Sequence, residues 1–157
     1  MLTLGLNHVA TLTNDAPRLH AFYEEVFEAE VVSDGPEIDG DDAVRLSVIR
    51  IGPWSELNVF QIEGNTEAER QVPMFMRGRI DHMGLQAASL EAFETIRDRL
   101  MARGAADDFV TDFGETLSVF FRDPDGLEGE VCVANPDAIP GASNPPGTPA
   151  TRYVTTK

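Results

Sequence analysis

Two histidines and one glutamate have side chains and spacing that suit a metal site. His8 and His82 each lie at the start of an apolar segment, in the sequences NHVA and DHMG, and Glu130 follows the sequence DPDG by four residues. Imidazole nitrogens and carboxylate oxygens are ligands that divalent transition metals accept. A buried carboxylate next to two imidazoles needs a proton or a cation to be stable. If the fold brings the three side chains together, they would support metal chemistry.

The segment around Glu130 is predicted to form a β-hairpin. The proline and glycine of DPDG favour a tight turn, so residues 116–122 and 128–134 are predicted to be its two strands. Alternation with a period of two places Glu130 and Cys132 on one face, and Val131 on the other, apolar face. A carboxylate in the middle of a strand either faces solvent or is held by a cation.

The same order of predicted elements occurs twice, which indicates an internal repeat. A shift of 74 residues places His8 on His82 and the predicted helix cap Asp15 on Ser89. The apolar stripe of the first helix then falls on that of the second. The first half has a strand, a helix and three strands at about residues 7–13, 16–28, 30–34, 43–51 and 56–63. The second half has a strand from about residue 80, a helix from 89 to 103, and strands at 107–112, 116–122 and 128–134.

We therefore predict an α+β fold of two tandem βαβββ modules, residues 1–63 and 79–134, within one domain spanning residues 1–134. Residues 64–78 are the predicted linker, whose apolar part is expected to pack on the core or to cover a pocket. Residues 135–157 hold five of the ten prolines, with glycine, serine and threonine, a composition that does not fold alone. They are predicted to be a tail.

Comparison of the two modules adds a fourth candidate ligand, Gln61. When the last strands are aligned so that FQI falls on GEV, Gln61 takes the place of Glu130. If the first and last strands of each module are neighbours in a sheet, His8 and His82 converge with these two residues. The alignment depends on register, since a slip of one residue moves every side chain to the other face. Four such ligands would leave positions open on a six-coordinate metal for substrate or water.

These features resemble the vicinal oxygen chelate superfamily, which includes glyoxalase I, methylmalonyl-CoA epimerase, extradiol dioxygenases and the fosfomycin and bleomycin resistance proteins. The paired βαβββ modules, NHVA, DHMG and the DPDG turn before Glu130 carry the resemblance, over about residues 4–134. It implies the glyoxalase/bleomycin resistance/dioxygenase fold, in which cupped mixed sheets surround a divalent metal ion such as Zn, Ni, Co, Mn or Fe. The implied metal ligands, a set most similar to that of the epimerase or glyoxalase I, are His8, Gln61, His82 and Glu130.

The resemblance also implies a reaction. In glyoxalase and epimerase chemistry the metal acts as a Lewis acid and stabilises an enolate during proton transfer next to the carbonyl of a small molecule, which would make the chain a lyase or isomerase. Glu130 is the predicted catalytic base, acting after it leaves the metal. A loop could supply the base instead, from Glu37, Asp39, Asp41 or Asp42. A coenzyme A thioester would require cationic residues for its phosphates, and the candidates are Arg70, Arg77 and Arg79.

Two other functions remain open. An extradiol Fe(II) dioxygenase would use two histidines and one glutamate, but it is expected to need further His and Tyr groups near the iron. His20 and Tyr23 are predicted to lie on the surface or at an interface of the first helix, and Tyr153 lies in the tail. The third possibility is a ligand-binding or resistance protein that does not need metal.

The composition narrows the classes of partner. The formal net charge of -15 argues against nucleic acid and anionic membrane surfaces, which select basic patches. There is no apolar run of about 18 residues and no charged leader followed by an apolar segment. The single cysteine, Cys132, excludes an intrachain disulfide and a multi-cysteine zinc site. We expect a cytoplasmic homodimer that acts on a small molecule.

Overall fold

A computed structural model describes residues 2–38, 41–70, 72, 76 and 78–138. The chain divides into two compact units, one comprising Met1–Arg70 with Pro124–Gly126 and the other comprising Gln71–Asp123 with Leu127–Lys157. The boundary after residue 70 lies within the predicted linker. The apolar linker residues 73–75 and the tail from residue 139 onwards lie outside the described residues. The single domain over residues 1–134 stays a prediction.

The first unit contains one helix and a four-stranded mixed sheet. The strand order is β1-β4-β3-β2, with β1 parallel to β4 and the other pairs antiparallel. The first and last strands of the module are therefore neighbours, which is the condition on which the convergence of the candidate ligands depends. A short 3₁₀ turn at Glu67–Glu69 was not predicted. The elements are β1 (His8–Leu12), α1 (Ala16–Phe27), β2 (Glu30–Ile38), β3 (Asp41–Gly52) and β4 (Ser55–Ile62).

The second unit repeats this arrangement. Its strand order is β5-β8-β7-β6, with β5 parallel to β8. Two mixed sheets and two helices confirm the predicted α+β fold with two βαβββ modules. The elements are β5 (Met83–Gln86), α2 (Leu90–Ala102), β6 (Thr111–Asp112), β7 (Thr116–Arg122) and β8 (Glu128–Ala134).

Strand β6 is shorter than the segment 107–112 predicted from the sequence. The side-chain Oδ1 of Asp107 accepts a hydrogen bond from the backbone N–H of Phe109, at 2.9 Å. Such a local bond gives the backbone a turn in place of a sheet ladder. The strand is therefore confined to the two residues Thr111–Asp112.

Both helices begin at the predicted caps. The Asp15 side chain accepts a hydrogen bond from the N–H of Arg18 at 3.0 Å, and Ser89 Oγ accepts one from the N–H of Ala92 at 3.1 Å. Each bond satisfies one of the free N–H groups at a helix start. The caps fix where each helix begins and therefore where the preceding strand, β1 or β5, must end.

Each helix covers one face of its own sheet and leaves the other face for polar side chains. In β4, Leu57 and Val59 are fully buried, and in β8 the buried apolar side chains are Val131 and Val133. The period of two then puts Glu130 on the face away from these valines. The buried residues of α1 are Ala16, Leu19, His20, Phe22, Tyr23 and Val26. The prediction that His20 and Tyr23 lie on the helix surface is therefore wrong, because both continue the stripe that packs towards the sheet.

A close contact between β7 and β8 holds β8 in position at the residue before Glu130. Phe121 on β7 pairs with Gly129 on β8, and a Cβ atom at Gly129 would lie 2.2 Å from Cζ of the Phe121 ring. Phe121 is almost completely buried. The ring therefore occupies the space of the missing side chain, and only glycine fits at this position without movement of the ring.

Candidate metal centre

The second unit brings together two of the predicted ligands, His82 and Glu130. Nε2 of His82 lies 3.5 Å from Oε2 of Glu130, and the two side chains are 29% and 15% exposed. Gly84 on β5 pairs with Glu130 and contributes no side chain; a Cβ atom there would lie 4.0 Å from Oε2. The space around these two donor atoms is therefore left open by the strand that follows His82.

The imidazole of His82 is oriented by the residue before it. Nδ1 of His82 lies 2.9 Å from Oδ2 of Asp81. An ionised carboxylate only accepts hydrogen bonds, so Nδ1 carries the proton and donates it. In the neutral ring the lone pair is then on Nε2, the atom that faces Glu130. A carboxylate behind a histidine is a common arrangement at metal sites, where it fixes the tautomer and raises the basicity of the ligand.

The carboxylate of Glu130 is held from the neighbouring strand. The hydroxyl of Ser118, on β7, donates a hydrogen bond to Oε1 of Glu130 at 2.5 Å. The Phe120 ring contacts His82 edge-on, with the ring centres 5.7 Å apart. Two side chains thus constrain the pair on the β7 side, one at the carboxylate and the other at the imidazole.

Cys132 lies on the same face of β8 as Glu130 but is not a thiolate. Burial raises the pKa of the Cys132 thiol to about 12, and the negative charge of Glu130 acts in the same direction. The thiol therefore stays protonated at neutral pH. As a protonated thiol, Cys132 is a small, weakly polar side chain on this face.

The first unit repeats the histidine arrangement with a neutral partner. Nδ1 of His8 lies 2.8 Å from Oδ1 of Asn7, the residue before it. The shift of 74 residues that relates His8 to His82 also relates Asn7 to Asp81. The imidazole, exposed in the first unit and part-buried in the second, is thus held through the same ring nitrogen in both units. His8 stays a predicted ligand.

The structure places Gln61 away from the polar face, so the alignment that predicted it is wrong. Oε1 of Gln61 accepts a hydrogen bond from the backbone N–H of Ala16, at the start of α1, at 2.9 Å. Gln61 shares the helix-covered face of β4 with the buried residues Leu57 and Val59. Its amide oxygen is therefore engaged in fixing the helix.

By strand pairing, Asn58 is the residue of the first unit that corresponds to Glu130. Asn58 pairs with Ala10 across β1 and β4, as Glu130 pairs with Gly84 across β5 and β8. The two partners, Ala10 and Gly84, are related by the shift of 74 residues. The alignment of the last strands was therefore displaced by three residues, from 58 to 61.

The alternation of apolar and polar residues along β4 could have identified Asn58 from the sequence. Leu57 and Val59 alternate with more polar neighbours in the way that Val131 and Val133 do, and this alternation assigns Gln61 to their face. Phe60 and Ile62 are also apolar, however, so the end of β4 has apolar residues on both faces and its polar face is not evident from sequence alone.

The other candidates do not add to this pair. The side chains of the loop carboxylates Glu37, Asp39, Asp41 and Asp42 lie outside what the structure describes, as does Arg77. Arg70 and Arg79 are exposed, and Arg70 is paired with Glu67 at 3.3 Å. Across the described ranges, no three or more His, Cys, Asp or Glu side chains are grouped so that they could hold a metal ion. The structure thus shows one imidazole and one carboxylate as a fitting pair of donors.

A comparison with models of known protein families assigns the chain to a superfamily. The model of the Glyoxalase/Bleomycin resistance protein/Dioxygenase superfamily matches residues 5–131. The chain belongs to this superfamily. No curated protein sequence matches it. Among the residues that the structure describes, none forms a helix long and apolar enough to cross a membrane.

Solved structures of this superfamily share the fold. A glyoxylase/bleomycin resistance protein/dioxygenase domain from Frankia sp. EAN1pec is 17% identical, with a TM-score of 0.71, over 85% of this chain and 99% of that one. The fosfomycin resistance protein FosX from Listeria monocytogenes is 19% identical, with a TM-score of 0.62, over 87% and 98%. Lactoylglutathione lyase from Agrobacterium tumefaciens is 21% identical, with a TM-score of 0.56, over 85% and 96%. At these identities the likeness concerns the fold.

Proposed function

We propose that the chain binds a divalent metal ion through Nε2 of His82 and Oε2 of Glu130, and that it is an enzyme of glyoxalase or epimerase type. The separation of these two atoms, 3.5 Å, carries the proposal. A direct hydrogen bond between a charged imidazole and a carboxylate would be about 2.7–2.9 Å long. Two ligands that each lie about 2.0–2.2 Å from one ion are separated by distances of this larger size.

The chemistry of the donors agrees with this assignment. Nδ1–H of His82 donates a hydrogen bond to Asp81, so that Nε2 presents a lone pair, and Ser118 donates only to Oε1 of Glu130. One neutral nitrogen and one anionic oxygen are therefore both available on one face. Superfamily membership supports the metal further, since a structure of a FosX mutant from Listeria monocytogenes was obtained in complex with Mn(II). The proposal keeps His8 as a further ligand and leaves out Gln61.

The metal would supply Lewis-acid stabilisation of negative charge on a substrate oxygen. The chain's own residues would position the substrate and supply the catalytic base. Glu130 is the proposed base, whose carboxylate would accept a proton from the carbon next to a carbonyl group. The absence of a side chain at Gly84 leaves room for a small molecule beside Oε2, and Phe120 provides an apolar surface next to His82.

The dioxygenase alternative requires further His and Tyr groups at the metal. His20 and Tyr23, which were considered for this role, are buried in the helix-covered core of the first unit. The homodimer and the cytoplasmic location stay proposals.

The test is metal-dependent exchange of a proton on carbon. The metal-free protein would be loaded with Zn, Ni, Co, Mn or Fe(II) and incubated in deuterated water with small α-hydroxycarbonyl compounds and thioesters, and loss of the C–H signal would be followed by NMR. We expect exchange with at least one metal, none with chelator, and none with Glu130→Gln. Oxygen-dependent consumption of catechols by the iron-loaded protein, without proton exchange, would instead support the dioxygenase.

A further inference from the structure

We propose that Ser118 is a positioning residue that selects which oxygen of Glu130 binds the metal and holds the carboxylate to a single-oxygen binding mode. This inference rests on the metal site proposed above and concerns a residue that does not itself contact the metal or the substrate. It follows from the burial of Ser118, from its position relative to Glu130, and from a comparison of the two units.

The Ser118 hydroxyl is fixed and isolated from solvent. Its residue is 0% exposed, on the second strand from the edge of the sheet. Ser118 pairs with Cys132, and Phe120 pairs with Glu130, so Ser118 is a diagonal neighbour of Glu130 on the same face. Side chains at such diagonal positions are close enough to interact. The serine hydroxyl is therefore shielded from water where it donates to Oε1.

The hydrogen bond makes the two oxygens of the carboxylate different. Oε1 accepts a hydrogen bond from the Ser118 hydroxyl, with the two oxygens 2.5 Å apart, and Oε2 is the oxygen that lies 3.5 Å from Nε2 of His82. A free carboxylate can rotate about its last torsion angle and can bind a cation through one oxygen or through both. With Oε1 held by Ser118, rotation is restricted and Oε2 is the oxygen presented to the metal.

The first unit has no such serine, and it has no carboxylate at the corresponding position. Asn58 takes the place of Glu130, and the residue diagonal to it on β3 is Leu46, which pairs with Phe60. In the second unit the corresponding residue on β7 is Ser118, which pairs with Cys132. The buried hydroxyl therefore occurs in the module whose ligand is an anion with two equivalent oxygens.

The experiment compares metal binding by Ser118→Ala and Ser118→Thr. Co(II) would be added to the metal-free protein, and both the affinity and the visible absorption spectrum would be recorded. We expect Ser118→Ala to lose about 10- to 100-fold in affinity, the range found when partners of metal ligands are removed. Its spectrum should weaken, because binding through both oxygens raises the coordination number. Ser118→Thr keeps the hydroxyl and should restore both.

Ser47→Ala is the matched control. Ser47 is equally buried, and its hydroxyl donates to the carboxylate of Asp34 at 2.9 Å in the first unit. This variant removes the same kind of bond, so it should lose similar stability but keep the affinity and the spectrum. If Ser118→Ala does not fold, Ser118→Val replaces it, because valine has the shape of threonine without the hydroxyl, and the same loss as in Ser118→Ala is expected.

The outcomes separate this inference from the proposed function. A wild-type protein that binds no Co(II) or other divalent metal would overturn the proposed function. A wild-type protein that binds Co(II), with the same affinity and spectrum in Ser118→Ala or in its Val substitute, would overturn the role of Ser118 alone. Loss of affinity in Ser118→Thr as large as that in Ser118→Ala would also overturn it, because the hydroxyl would then not be the cause.

Discussion

The carboxylate of Asp81 accepts a hydrogen bond from Nδ1 of His82, the next residue in the chain, at 2.9 Å. The bond sets the tautomer of the imidazole and places a negative charge behind it. In the first unit Asn7 holds His8 by the same nitrogen at 2.8 Å, without the charge. The two units therefore orient their histidines alike but differ in how strongly each ring is polarised.

This difference predicts how the metal affinity changes when Asp81 is replaced by alanine or by asparagine. Asp81→Ala should lower the metal affinity by about 10- to 100-fold, because His82 loses both its orientation and the neighbouring charge. Asp81→Asn keeps the hydrogen bond and should lose less. Metal affinity would be measured by competition with a chelating dye. Equal losses in the two variants would show that orientation contributes nothing at this position.

Gln61 is predicted to contribute to the stability of the fold and not to metal binding. Gln61→Ala removes the bond to the N–H of Ala16 at the start of α1 and should lower the free energy of unfolding by about 0.5–1.5 kcal/mol, the usual contribution of such a bond. Its metal affinity should be unchanged. Asn58→Ala is the companion variant: if the amide at that position binds metal, affinity falls in Asn58→Ala only. A loss confined to Gln61→Ala would contradict the strand register described for β1 and β4.

The contact between Phe121 and Gly129 predicts a large packing effect from a single methyl group. Gly129→Ala would place Cβ 2.2 Å from the Phe121 ring and should destabilise the second unit by about 1–3 kcal/mol, measured by urea unfolding. Gly35→Ala is the control, since nothing lies within 4 Å of a Cβ atom at that strand glycine. Phe121→Leu should reduce the effect of the added methyl group. Equal stability of the two alanine variants would count against this packing.

Asp34 predicts a dependence of stability on acid pH. A hydrogen bond from Arg45 is the main cause that lowers the pKa of Asp34 from 3.8 to about 2, and Ser47 adds a second bond. A carboxyl group with a lowered pKa stabilises the folded state above its unfolded pKa, and this stabilisation is lost as the pH falls through the folded value. Asp34→Asn should therefore flatten the loss of stability between about pH 4 and pH 2. Urea unfolding at several pH values would test this, with the exposed Glu67→Gln as control. An unchanged slope would refute the assignment.

The sequence predicted those features that depend on neighbouring residues. The DPDG turn set the ends of β7 and β8, the caps Asp15 and Ser89 set the helix starts, and alternation put Glu130 opposite the buried valines. Each of these is decided within a few residues. The repeat also predicts that the two modules share one topology, and both have the same strand order. Which order it is does not follow from the repeat.

Features that depend on contacts between strands were harder to predict from the sequence. The register of β4 against β1 decides between Asn58 and Gln61, and apolar residues on both faces of that strand hid it. Ser118 reaches Glu130 only because β7 and β8 are paired with Phe120 opposite the glutamate. His20 and Tyr23 are polar enough to suit a surface, yet they continue the buried stripe of α1. In each case the sequence lacks the cross-strand or helix-to-sheet geometry that decides the outcome.

If His82 and Glu130 bind one divalent metal ion, the metal content and metal affinity of the purified protein must change in His82→Ala and in Glu130→Gln. The exposed Glu94→Gln on α2 is the matched control. We expect one equivalent of metal in the wild type and in Glu94→Gln, and loss of tight binding in both site variants while the fold is retained. Undiminished metal affinity in both His82→Ala and Glu130→Gln would show that these two residues are not the ligands.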